Sequence, residues 1–154
     1  MTLTARYDSP LGPITLTFDG EALTGLRFGE HPTAHCPLPT IYYPLSTSFR
    51  WLDRYFSGHE PDFLPPLKPA GTAFQQRVLT ALMEIPYGQT TTYGALARRV
   101  GCRSAQAIGQ AVGRNPIAVI IPCHRVIGSN GSLTGYAYGL ERKEYLLGLE
   151  AARP

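Results

Sequence analysis

With 154 residues, 44% hydrophobic content and a net charge of +3, the chain can form one ordinary domain or two small ones around a real core. No apolar run approaches the roughly 20 residues of a membrane-crossing helix, and no charged start leads into a long apolar stretch at the N-terminus. A membrane or exported protein is therefore not expected, a cytoplasmic one is, and the odd, scattered set Cys36, Cys102 and Cys123 does not make a disulfide framework.

In chain order, Thr2 to Tyr7 reads as a first strand ahead of the Ser9-Pro10-Leu11-Gly12-Pro13 turn. Ile14 to Phe18 alternates strictly, and Asp19-Gly20 turns the chain toward Leu23–Phe28, which predicts a β-hairpin. After a Pro-rich stretch from His31 to Pro44, Phe49, Leu52, Tyr55 and Phe56 fall on one helical face behind the cap candidates Ser46-Thr47-Ser48. Sheet plus helix predicts a small α/β N-terminal domain. His31 and His35, with Cys36, have a spacing that could share a metal on a helix face, but Pro32 and Pro37 oppose a regular helix, and no metal site is expected. Ser57-Gly58 through Pro65-Pro66 to Gly71 carries the turn and breaker residues of a connection, giving domains at 1–71 and 72–154.

Beyond the connection the period becomes helical. Phe74, Val78, Leu79 and Leu82 predict a helix ending near Ile85-Pro86-Tyr87-Gly88; Thr92 caps a second through Val100; Gly101 opens a turn; Ser104 to Gly113 forms a third. Helix, short glycine-containing turn, helix is the outline of a helix-turn-helix in a mainly α C-terminal domain. Charge is distributed unevenly: residues 1–71 carry 5 Lys+Arg against 7 Asp+Glu, residues 72–154 carry 9 against 4. A basic domain favours a polyanionic partner, although a solvated basic surface is the plainer explanation. The third helix is unusually small in side chain, and a mid-helix glycine such as Gly109 costs about 1 kcal/mol relative to alanine. Either tight helix packing or close approach to a groove about 6 Å wide explains it.

Pro122-Cys123-His124-Arg125-Val126-Ile127 places a nucleophilic sulfur beside an imidazole. A free cysteine has a pKa of about 8.5, so a base must deprotonate it for reaction at neutral pH. On a strand, neighbouring side chains point to opposite faces, so direct contact between sulfur and imidazole needs a turn or a bridging water. Asn115, preceding Pro116, is a helix terminator on structural grounds alone.

Gly109, Asn115-Pro116, Ala118-Val119-Ile120-Ile121, the cysteine motif, Gly128-Ser129-Asn130-Gly131, Gly135-Tyr136, Lys143, Leu146-Leu147 and Glu150 together resemble the O6-alkylguanine-DNA alkyltransferases. The resemblance is dense from Phe74 to Glu150 and thin before that. It implies a ribonuclease H-like N-terminal domain and a C-terminal domain that moves an alkyl group from guanine irreversibly onto Cys123. Glu150 would orient His124, His124 would take the thiol proton through a water, and Tyr93 would donate to guanine N3. Asn115 would tether the recognition helix to the cysteine segment, Tyr136 would flank the flipped base, and the carbonyls of Cys123 and Val126 with the amide of Ala137 would read the guanine edge. Thr92, Ala105, Ala107 and Gly109 match DNA-contacting positions in the minor groove. At the position of the family's arginine finger this chain has Gln106, with Arg103 as a candidate substitute. The implied partner is double-stranded DNA containing O6-alkylguanine, with O4-alkylthymine as an alternative lesion; the protein would be a monomer without a cofactor. Two rivals stand beside this reading: a lesion binder that does not react, and a cysteine hydrolase that turns over. For Tyr93 the competing role is a structural tyrosine at a helix start, and for Glu150 a solvated helix charge. Cys102 is assigned no role.

Overall fold

Residues 2–30, 42–133 and 135–151 are described by the computed structural model, and the chain divides after Ala70 into two compact units. In the first, β1 (Leu3–Ser9), β2 (Gly12–Phe18) and β3 (Leu23–Phe28) form an antiparallel sheet in the order β1-β2-β3. Pairing runs from Leu3 opposite Phe18 to Ser9 opposite Gly12, so Pro10 and Leu11 make a two-residue turn. Asp19 closes the second turn, its Oδ1 accepting from the amides of Glu21 and Ala22 at 2.9 and 3.0 Å. Alternation along β2 sends Ile14, Leu16 and Phe18 to one face, where they are fully buried with Leu23 and Leu26.

α1 (Tyr43–Phe56) starts a full turn before the expected Ser46-Thr47-Ser48 cap. Pro44 sits in its first turn, where a missing N–H sacrifices no helical hydrogen bond. Ser48 lies inside the helix, and its hydroxyl donates to the Pro44 carbonyl at 2.6 Å. Trp51, Leu52 and Tyr55 are buried, and the Trp51 and Tyr55 rings stack at 5.1 Å. The segment read as a connection is partly structured: the Leu23 amide donates to the Pro66 carbonyl at 2.8 Å and the Lys68 amide to the Leu23 carbonyl at 2.9 Å. Its middle thus adds a short parallel bridge to β3. His31, His35 and Cys36 lie outside the described residues, among which no group of three or more His, Cys, Asp or Glu side chains could hold a metal.

The second unit opens with α2 (Ala73–Met83), capped by the Thr72 hydroxyl, which accepts from the Gln75 amide. β4 (Thr91–Thr92) leads directly into α3 (Tyr93–Val100), where Thr92 Oγ1 accepts from the Ala95 amide at 3.1 Å. Gly101 stops α3 at φ +73°, a left-handed conformation that glycine adopts without Cβ strain. Ser104 then caps α4 (Ala105–Gly113), its Oγ accepting from the Ala107 amide at 3.1 Å. The helix-turn-helix stands where the cap residues placed it, and the Gln75 side chain donates to the Ala111 carbonyl at 2.8 Å, joining α2 to the last turn of α4. β5 (Val126–Ile127) pairs in parallel with β4, Thr91 opposite Val126, and so seats the first turn of α3 beside the cysteine segment. α5 (Leu140–Ala151) packs against that segment from the other side.

The apolar run before the cysteine is buried but not extended. The Ile120 amide donates to the Ala118 carbonyl at 2.7 Å and the Ile121 amide to the Ile117 carbonyl at 3.1 Å. Val119 takes φ +69°, alone among the described non-glycine residues in having a positive φ. For a β-branched residue that conformation costs about 1–3 kcal/mol and persists only where the surroundings enforce it.

Candidate active site

Cys123, His124 and Arg125 form one turn of 3-10 helix, with the Cys123 amide donating to the Ile121 carbonyl at 2.8 Å. The backbone therefore takes the turn, one of the two ways in which adjacent cysteine and histidine can serve one reaction. Asn115 is what holds the preceding loop: its Nδ2 donates to the Ile121 carbonyl at 2.7 Å, and its Oδ1 accepts from the Ile117 amide at 3.0 Å. Both ends of the strained apolar loop are thus tied to the residue that terminates α4.

Glu150, on the last turn of α5, is 1% exposed and receives hydrogen bonds from three residues. His124 Nε2 lies 2.6 Å from its Oε2. Arg125 donates through Nε at 2.8 Å and Nη2 at 3.1 Å, one bond to each carboxylate oxygen, and the Gly88 amide donates at 3.1 Å. Arg125 also donates to the Ile85 carbonyl at 2.7 Å, so it spans the end of α2 and the end of α5. Burial works to raise the Glu150 pKa, but the hydrogen bonds from His124 and Arg125, with the guanidinium charge, outweigh it and hold the carboxyl at about 2.

Burial lowers the His124 pKa against the opposing pull of Glu150, which favours the neutral imidazole. Because a carboxylate can only accept, Nε2 carries the proton of that neutral ring and Nδ1 keeps the lone pair of a base. Cys123 is pushed up by burial, and the Asn115 hydrogen bond, its own backbone amide and the charge of Lys143 work the other way. The resting sulfur is therefore a thiol with its base and thiolate-stabilising groups already installed. Lys143 is fully buried, and its Nζ donates to the Val126 carbonyl at 2.6 Å. Burial lowers its pKa, and the charge of Cys123 opposes that.

Tyr93, at the first position of α3, and the buried Tyr136 both come near the sulfur: burial chiefly, and Cys123 secondarily, raise the pKa of both phenols. Each remains a proton donor at any physiological pH. Ala137 is exposed beside Tyr136, while the Val126 and Cys123 carbonyls already accept from Lys143 and from the Val126 amide. A carbonyl has two lone pairs, so each can accept once more. Cys123, His124, Glu150, Asn115, Tyr93, Tyr136 and Val126 are thus gathered at one place, and Thr92 serves as the α3 cap beside them. Arg103, Ala105, Gln106 and Gln110 are exposed at and along α4.

The small residues of α4 admit two explanations, and the structure favours one. A Cβ added at Gly109 or Gly113 would meet nothing within 4 Å, so packing within the protein does not require either glycine. Arg125 and Lys143 are buried partners of this site that their residue types conceal, since arginine and lysine are mostly solvated. A signal for Lys143 was present nonetheless: at helical spacing it shares a face with Leu146 and Glu150, and all three are buried.

A helix-turn-helix unit that holds a buried cysteine on an imidazole–carboxylate relay defines a class, nucleic-acid-binding proteins with nucleophilic thiol chemistry. Two family models match the chain: the 6-O-methylguanine DNA methyltransferase DNA binding domain over residues 73–152, and the ribonuclease-like domain of the same proteins over residues 3–69. The chain belongs to the methylated-DNA–protein-cysteine methyltransferase family. It is 46% identical over 153 residues to the Methanosarcina acetivorans protein of that name, covering 96% of this chain and 97% of that one. It is 47% identical over 151 residues to the Mycobacterium bovis protein, covering 95% and 90%. Among solved structures, the Mycobacterium tuberculosis O6-methylguanine methyltransferase superposes with a TM-score of 0.88 at 44% identity, covering 100% of this chain and 95% of that one. The Mycobacterium tuberculosis homologue in complex with DNA gives 0.87 at 46% identity, covering 99% and 93%.

Proposed function

We propose that this protein repairs DNA by flipping O6-alkylguanine out of the duplex and moving the alkyl group, irreversibly and once per molecule, onto Cys123. The observation that carries this reading is the buried His124–Glu150 pair, with His124 on the same turn as the buried Cys123 and the Tyr93 phenol influenced by that sulfur. The thiol proton passes to His124 through an intervening water, and Glu150 stabilises the imidazolium. The thiolate attacks the alkyl carbon in line, forming the S–C bond as the O6–C bond breaks. Guanine leaves with the bonding electron pair, and Tyr93 donates a proton at N3 as charge develops on the base. The proton lost by the thiol balances the one gained by guanine once Tyr93 is reprotonated.

The exposed, uncharged face of α4 suits a minor groove, where glycines let the backbone approach the bases. Thr92 at the start of α3 and Ala105, Ala107 and Gly109 along α4 would contact the duplex. Gln106 would fill the gap left by the extruded base with a neutral amide, while Arg103 supplies a cation at the head of the helix. Tyr136 would flank the extruded guanine, with the Cys123 and Val126 carbonyls and the Ala137 amide along its edge. The reading places the protein in the cytoplasm as a cofactor-free monomer of two domains, 1–71 and 72–154, with duplex DNA bearing O6-alkylguanine, and O4-alkylthymine as an alternative lesion, as its partner.

Intact-mass measurement after incubation with excess duplex containing O6-methylguanine should show one methyl group per chain, on the Cys123 peptide. Cys123→Ser should bind the lesion without reacting. Multiple turnovers would point to a hydrolase, and an unmodified chain to a passive lesion binder.

A further inference from the structure

Gly135 takes φ +76° immediately before the buried Tyr136. That conformation alone does not demand glycine, since asparagine and aspartate also adopt it. The space beside it does. A Cβ built at residue 135 would stand 2.9 Å from the Tyr93 hydroxyl oxygen and 3.8 Å from its Cζ. Carbon and oxygen atoms do not settle at 2.9 Å without bonding, so the tyrosine would have to move by roughly a few tenths of an ångström or more. With the ring rigid and the backbone fixed between the Thr92 cap and the β4–β5 pairing, Tyr93 can yield only by rotation about its side-chain torsions, which carries the hydroxyl away from its present place. Gly139, at φ +99°, offers a contrast, because a Cβ there would meet nothing within 4 Å. The two glycines bracket the aromatic segment Tyr136-Ala137-Tyr138, and the one on the Tyr93 side is the one that must lack a side chain.

We propose that Gly135 is a positioning residue for alkyl transfer: the absence of its side chain is what lets the Tyr93 hydroxyl stand at the guanine-binding side of Cys123. The inference rests on the reading of Tyr93 as proton donor. Proton transfer requires donor and acceptor within about 2.6–3.2 Å, and a misplacement near 1 Å can cost on the order of 100-fold in rate. Gly135 therefore acts on the chemical step through Tyr93, and the same left-handed turn delivers Tyr136 to the pocket.

The test is a double-mutant cycle on the full chain, read by single-turnover methyl transfer from an O6-methylguanine duplex, with duplex affinity measured in a Cys123→Ser background. Tyr93→Phe alone should slow transfer by roughly ten- to a hundredfold. Gly135→Ala should slow it by a similar factor with little change in affinity. Gly135→Asn should do the same, because it carries the same Cβ on a residue that tolerates the backbone, and it serves where the alanine variant folds poorly. Tyr93→Phe removes the oxygen that the new Cβ would strike, so adding Gly135→Ala to Tyr93→Phe should produce almost no further loss. Gly139→Ala introduces comparable backbone strain without the collision and should leave the rate nearly unchanged. Equal slowing by Gly135→Ala in both backgrounds would assign the effect to backbone strain and overturn the proposal, as would full activity of Gly135→Ala and Gly135→Asn. If Tyr93→Phe itself transfers at the normal rate, the donor reading of Tyr93 falls. A crystal structure of Gly135→Asn then judges the placement separately, with an undisplaced Tyr93 hydroxyl overturning it.

Discussion

At the scale of residues, Glu150 is the point where distant donors converge: one carboxylate accepts from an imidazole, a guanidinium and a backbone amide. Its pKa of about 2 against 4.5 for a free carboxyl makes it a source of pH-dependent stability. A carboxyl depressed in the folded state stabilises above its unfolded pKa and loses that contribution as pH falls toward its folded one. The protein should therefore lose the stability contributed by this group as pH falls from about 4.5 toward 2. His124 works in the same direction, because a neutral buried histidine competes with an unfolded one that protonates as the medium acidifies. Chemical denaturation at a series of pH values checks this: Glu150→Gln should flatten the acid limb and lower stability at neutral pH, where it leaves Arg125 buried without its charge partner. The same variant should slow methyl transfer. Unchanged single-turnover rates would leave Glu150 a structural ion-pair residue only.

At the scale of elements, the helices of the second unit were legible because their ends are marked by side chains that act locally. Thr92 and Ser104 accept from amides one turn ahead, and Gly101 takes the left-handed stop, none of which depends on the rest of the molecule. The start of α1 was misplaced because three hydroxyl residues in a row look like caps, whereas Pro44 defines the first turn and Ser48 bonds back into the helix. The cysteine, histidine and glutamate could be named from the motif. The loop holding them could not, since nothing local in Ile117–Ile121 announces that Asn115 folds a β-branched run into a turn with Val119 left-handed. Arg125 and Lys143 were hidden for a related reason: their burial is decided by partners distant in sequence, Glu150 and Ile85 for one, the Val126 carbonyl for the other. The open face of α4 carries its own prediction. Gly109→Ala should stabilise the protein by about 1 kcal/mol, because helix propensity improves and nothing obstructs the new methyl. Gly109→Leu should fold equally well yet weaken duplex binding severalfold, as band-shift titration would show. Unchanged binding by the leucine variant would remove α4 from the groove.

At the scale of the whole molecule, the two sequence halves differ in charge, with 9 Lys+Arg against 4 Asp+Glu in residues 72–154. Binding to unrelated duplexes should weaken steeply as salt rises, because phosphate contacts release condensed counterions, and it should vary little with sequence. A titration insensitive to salt between about 50 and 200 mM, an interval over which several phosphate contacts cost orders of magnitude in affinity, would contradict a phosphate-based interface.

The relay is also assembled from places far apart in the chain. Gly88 and Ile85 hold one end, while His124 finds its carboxylate 26 residues further on. A ribosome joins these groups in order, so Cys123 and His124 enter the chain before the carboxylate that binds the imidazole exists. Over that interval the cysteine segment lacks both the helix that packs on it and the carboxylate that binds its imidazole. Synthesis itself sets the earliest time at which the site can be complete.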